Sequence, residues 1–140
     1  MIKSILSVIA LSFLALGCAE QASSKNGTEI TDQNIRTVSV SEAAAMVTED
    51  ETLVVLDVRT PEEFAQGHIE GALNIDYNGD DFESRIAALD KSKTYLFHCN
   101  SGGRSGKTEK MLKSLGFTDA LHLKSGMSGW REAGLPEVAE

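Results

Sequence analysis

Two short apolar runs constrain this chain more than anything else in it: Thr52–Val58 (TLVVLDV) and Thr94–Cys99 (TYLFHC). Neither alternates polar with apolar residues. Each therefore reads as a strand buried on both faces, as in a parallel sheet covered by helices. The flanking segments supply such helices. Thr37–Val40 (TVSV) reads as a β-branched strand, and Ser41 as the cap of the alanine-rich helix that follows. Thr60, Pro61 and Glu63 form a capping box with proline at the first helical position, and Gly67 ends that helix. Gly67–Ile75 reads as a loop leading into a short strand. Phe82, Ile86 and Leu89 fall on one helical face, and Met111, Leu112 and Leu115 on another, with Gly116 closing the second helix. Ala120–Leu123 (ALHL) is a further strand. Ser128–Gly134 is a short last helix, where Trp130 packs into the core and Pro136 follows. Alternation of this kind predicts an α/β domain with a mostly parallel sheet. The 140 residues suffice for one such domain. Their net charge of −8, with no basic run, excludes nucleic acid as a partner.

The N-terminal residues follow different rules. Lys3 precedes an apolar stretch of 12 residues, Ile5–Leu16, which suits a secretory signal and is too short to span a bilayer. The run LALGC, ending at Cys18, resembles the lipobox of bacterial lipoproteins, in which the cysteine is lipidated. Ala15 and Gly17 also fit ordinary signal cleavage. The expected layout is a signal peptide over 1–17, a lipid-anchored or flexible tether over 18–36, and a folded domain over 37–140. Export to the periplasm or cell envelope follows, with a membrane contact through the lipid if Cys18 is modified. The tether is polar and cannot bury much apolar surface.

The chemistry gathers at Cys99, one of two cysteines. It ends the second apolar run and opens the loop Cys99–Ser105 (CNSGGRS). Converging backbone N–H groups in such a loop, followed by a helix from about Ser105, make an anion cradle. Gly102 and Gly103 permit the tight curl, and Arg104 adds a fixed charge. These features favour thiolate over thiol, so the Cys99 pKa is expected below that of a free cysteine. His68, His98 and His122 have no ligand-type spacing, and no metal or cofactor is expected.

The loop resembles that of cysteine phosphatases, but theirs has one residue more between cysteine and arginine. The four residues here, Asn100, Ser101, Gly102 and Gly103, match the rhodanese family. Residues 56–75 (LDVRTPEEFAQGHIEGALNI) resemble that family's first signature, and residues 125–136 (SGMSGWREAGLP) its C-terminal one. The resemblance implies a rhodanese-like fold, a central mostly parallel sheet with helices on both faces. It implies a sulfurtransferase that carries sulfur as a persulfide on Cys99, held by Asn100, Ser101, Gly102, Gly103, Arg104 and Ser105. Arg104 is expected to close the loop through hydrogen bonds, and Asp57 and Arg59 to brace it. His68 is expected to hold the loop after its helix, and His98 to be structural. The implied donor is a small sulfur-containing anion such as thiosulfate, and the acceptor a thiol, a protein or cyanide. Asn100 stands where many members carry a basic residue. Arg59, Arg104, Lys107 and Lys124 are the cations available to compensate. The rival reading is a partner-dependent sulfur-delivery or protein-binding module with little turnover of free thiosulfate.

Overall fold

In the computed structural model, residues 33–140 are described, and the expected signal peptide, Cys18 and the expected tether before Gln33 lie outside them. The two apolar runs become neighbouring strands, β2 (Val54–Asp57) and β4 (Tyr95–His98), paired in parallel from Val54↔Tyr95 to Asp57↔His98. Three more parallel strands complete the sheet: β1 (Asn34–Val38), β3 (Leu73–Asn74) and β5 (Asp119–Leu123). The order is β1-β5-β4-β2-β3, which puts β4 at the centre. Four helices connect successive strands, α1 (Val40–Glu49), α2 (Pro61–Ala65), α3 (Phe82–Ala87) and α4 (Gly103–Ser114), and α5 (Gly126–Glu132) follows β5.

Both faces of the sheet are covered, because alternate residues of each central strand point to opposite sides. Leu56, Tyr95 and Phe97 pack with Phe82 and Ile86 of α3 and Leu112 of α4. Val55, Leu96 and Leu121 pack with Ala43 of α1 and Met127 and Trp130 of α5. Burying one such large side chain contributes about 1.5–3 kcal/mol, and a helix cap about 1 kcal/mol. The two-sided core therefore decides the architecture, and the caps set where elements begin.

One cap differs from expectation. Ser39, not Ser41, caps α1: its hydroxyl accepts from the Glu42 N–H at 3.2 Å, while the Glu42 carboxylate accepts from the Ser39 N–H at 2.8 Å. The capping box S-x-x-E starts two residues earlier than the alanine run suggests, and Val40 enters the helix. The first strand is displaced with it. Asn34–Arg36, assigned to the tether by composition, belong to β1, where they pair with Asp119–Leu121 of β5. The capping box at Thr60 and Glu63 and the stop at Gly67 stand where the sequence places them. Ser39→Ala is expected to lower unfolding stability in urea by about 0.5–2 kcal/mol, and Ser41→Ala by less than about 0.5 kcal/mol.

Candidate active site

Cys99 is the first residue past β4, at the carboxyl end of the central strand, where open parallel sheets place their ligands. Two constraints curl the chain there. Gly102 takes φ 92°, and a Cβ at that position would collide with the Lys124 carbonyl oxygen. Gly126 takes φ 58°, and a Cβ there would collide with the Cys99 and Asn100 carbonyl oxygens. The missing side chain at Gly126 lets the start of α5 dock on the loop backbone. Met127 N–H donates to the Cys99 carbonyl and Ser128 N–H to the Asn100 carbonyl, each at 3.0 Å. In a trans peptide the carbonyl and the following N–H point in opposite directions. With these carbonyls turned toward α5, the N–H groups of Asn100 and Ser101 turn away from it, toward the inside of the curl.

The Cys99 sulfur sits in that concavity, with the residue only 2% exposed. Gly102 N–H donates to Sγ at 3.1 Å and the Ser105 hydroxyl at 3.4 Å. Burial pushes the thiol pKa up. Hydrogen bonds from the Ser105 hydroxyl and from the N–H groups of Ser105, Ser101 and Gly102 oppose it and prevail, so the thiol lies below its ordinary value. The helix begins at Gly103, two residues earlier than expected, which brings the Ser105 N–H and hydroxyl into its first turn beside the sulfur.

Arg104 does not tie the loop to itself. Its guanidinium forms a two-pronged pair with the Glu63 carboxylate, at 2.6 and 2.7 Å, and so joins α4 to α2. Glu63 thus has two tasks, helix cap and arginine partner. Asp57 and Arg59 form a fully buried pair, with Oδ2 to Nη2 at 2.6 Å. The rest of the Arg59 guanidinium donates to the carbonyls of Glu63 and Gly67. This pair braces the α2 segment, and reaches the Cys99 loop through the Glu63–Arg104 contact. Arg59 is therefore not one of the cations ringing the sulfur. Lys107 lies 5.9 Å from the Tyr77 ring centroid, and the Lys124 backbone carbonyl abuts Gly102.

The histidines have separate roles. His68 bonds the Phe64 carbonyl through Nδ1 at 2.9 Å and stacks on the Phe64 ring, closing the turn after α2. His98 is fully buried, and burial lowers its pKa against the pull of Asp57. Because a carbonyl only accepts, its Nδ1 carries the proton donated to the Cys99 carbonyl at 3.0 Å. His122 approaches the site from β5: its Nε2 lies 2.8 Å from the Ser105 hydroxyl, and its Nδ1 lies 3.2 Å from Glu109 of α4. Neither His122 nor Glu109 stood out as a site residue in the sequence. The available signal was weak: Glu109 falls one helical turn after Ser105, on the same face. Among the described residues, no cluster of three or more His, Cys, Asp and Glu side chains is placed to hold a metal.

A five-stranded parallel sheet with a glycine-curled cysteine loop at its centre defines a class of small α/β domain. The Rhodanese-like domain profile matches residues 39–133, and the chain belongs to that family. It is 40% identical to thiosulfate sulfurtransferase 16 of Arabidopsis thaliana, over 60% of this chain and 78% of that protein. It is 34% identical to thiosulfate sulfurtransferase PspE of Escherichia coli, over 59% of this chain and 76% of that one. Among solved structures, a rhodanese-related protein of Thermoplasma volcanium superposes with a TM-score of 0.67 at 28% identity, covering 75% of this chain and 99% of that one.

The Arg104 guanidinium, opposing its partial burial, holds the Glu63 carboxyl down from 4.5 to about 2. A depressed carboxyl stabilises the fold above its unfolded pKa and loses that contribution as the pH falls through its folded pKa. Both side chains are partly solvated, which limits the pair to about 1 kcal/mol. The stability advantage of wild type over Glu63→Gln, measured by urea unfolding, is therefore expected to be full above pH 4.5 and to vanish toward pH 2.

Proposed function

We propose that this protein is a sulfurtransferase that moves a sulfane sulfur from a donor such as thiosulfate to a thiol or cyanide. The observation that carries the reading is the recessed Cys99 sulfur with N–H and O–H donors aimed at it. Such a cradle stabilises negative charge on Cys99, and then on a second sulfur bonded to it, without a free cation. The loop is short, which favours one added sulfur atom over a tetrahedral phosphate.

Two displacements make up the cycle. The Cys99 thiolate attacks the outer sulfur of thiosulfate. A Cys99–sulfur bond forms, the sulfur–sulfur bond of the donor breaks, and its electron pair leaves with sulfite. The persulfide keeps its negative charge on the terminal sulfur, within reach of the loop N–H groups. An acceptor nucleophile then attacks that sulfur, and the electron pair returns to Cys99 as thiolate. Double displacement of this kind predicts ping-pong kinetics. Asn100 contributes no charge, Arg104 is paired with Glu63 and Arg59 with Asp57. Attraction of the dianion therefore falls to backbone dipoles, the start of α4 and Lys124, whose side chain lies beside Gly102.

The N-terminal segment supports a location for this chemistry. Its charged start, short apolar run and Cys18 favour export and lipid anchoring, with the polar stretch that follows as a spacer. In that setting the acceptor is a thiol or a protein of the cell envelope.

Intact mass after brief incubation with thiosulfate and desalting tests the reading. Wild type is expected to gain one sulfur atom, Cys99→Ser none, and cyanide to remove the gain. A wild-type mass unchanged by thiosulfate, protein persulfides and polysulfide alike would overturn it.

A further inference from the structure

A continuous chain of hydrogen-bonding groups leads away from the Cys99 sulfur through Ser105, in the first turn of α4. The Ser105 hydroxyl touches Sγ at 3.4 Å and His122 Nε2 at 2.8 Å, and His122 Nδ1 touches Glu109 Oε2 at 3.2 Å. Ser105 is fully buried and His122 is 3% exposed, while Glu109 is partly solvated and also pairs with Lys113 at 2.6 Å. The His122 ring is held flat against Phe97, centroids 4.8 Å apart and planes at 8°. A hydroxyl, an imidazole and a carboxylate in series, starting at a nucleophile, form an arrangement able to move a proton. None of this is needed to curl the loop, which the glycines and α5 accomplish.

We propose that Ser105, His122 and Glu109 form a relay that takes the proton of the Cys99 thiol and stores it on His122. In the resting thiol form, S–H donates to Ser105 Oγ, the Ser105 O–H donates to His122 Nε2, and His122 Nδ1–H donates to Glu109. To reach the active form, the sulfur proton moves to Ser105 Oγ as the Ser105 proton moves to Nε2. The product is a thiolate that accepts from the Ser105 hydroxyl and an imidazolium that donates to both Ser105 and Glu109. One proton has crossed, no group is left unpaired, and no net charge is added. Ser105 touches the reacting sulfur, and His122 and Glu109 are positioning residues acting through it.

The surroundings make the two ends interdependent. Charged or titratable groups felt by His122 are Glu109 on α4, Lys124 just past the end of its own strand and His98 on β4. Its register neighbours are the uncharged Phe97 on β4 and Thr37 on β1. Burial holds the His122 pKa down, outweighing the pull of Glu109. The imidazolium therefore needs the second negative charge that a Cys99 thiolate provides, and the two groups titrate as a pair. The inference rests on Cys99 being the working nucleophile.

Side-chain nitrogen NMR of the full chain, followed against pH, tests it in wild type and Cys99→Ala. His122 is expected to keep its second proton to a pH at least about one unit higher in wild type. Coincident midpoints in the two proteins would overturn the relay. Rates of Cys99 alkylation by iodoacetamide against pH give a second reading. Glu109→Gln and His122→Phe, which keeps the stack on Phe97, are expected to move the alkylation midpoint upward by a similar amount. Profiles superimposed on wild type would likewise overturn it. Sulfur loading measured by mass on the same wild-type sample separates the two proposals. A coupled titration without loading from thiosulfate, protein persulfides or polysulfide refutes sulfur transfer and leaves the relay standing.

Discussion

The site depends on two hydrogen bonds that never touch the sulfur. Met127 and Ser128, at the start of α5, hold the carbonyls of Cys99 and Asn100 outward. Once those carbonyls are fixed, peptide planarity turns the adjoining N–H groups inward, and a loop becomes an anion cradle. Only a glycine at 126 allows α5 so close. The C-terminal segment thereby acts on chemistry nearly thirty residues earlier in the chain. Trp130 secures that segment from behind: it is buried against the sheet and its indole N–H donates to the Pro136 carbonyl at 2.8 Å.

Charge is distributed sparingly around the cradle. The Asp57–Arg59 ion pair is buried and self-contained, and its remaining donors are spent on main-chain carbonyls. Pairs of this kind add little net stability, because desolvation offsets their attraction, but leaving one member alone is costly. Asp57–Arg59 thus fixes the position of α2, and α2 in turn presents Glu63 to Arg104. The sulfur is left to dipoles and a hydroxyl. The N–H dipoles are in place before charge develops, and once the thiolate has formed neither they nor the hydroxyl need reorganise as it becomes a persulfide.

Much of this was legible in the sequence because it is local. The capping box at Thr60–Glu63, the two doubly buried strands and the glycine curl after Cys99 are all specified by residues within a few positions of one another. What escaped depends on strand order. Placing β5 beside β4 sets His122 next to Phe97 in register and brings it to Ser105, and no property of ALHL announces that neighbour. The partner of Arg104 was hidden for a similar reason, since Glu63 already had a sufficient local role as a cap. At α1, propensity and capping disagree: the alanine run points to Ser41 as the cap, while Ser39 and Glu42 hold the complete reciprocal motif. Asn34–Arg36 look like tether by composition, and become a strand only because β5 offers an edge to pair with.

The central claim is that the folded loop makes Cys99 a stabilised anion. Its most direct measurement is the ultraviolet absorbance of the thiolate against pH in the intact protein, with Cys99→Ser as the blank. The account predicts that Cys99 ionises below the ordinary cysteine value of 9.0, because the loop N–H groups and Ser105 together outweigh burial. A midpoint at or above that value would mean that burial prevails, and would contradict the account.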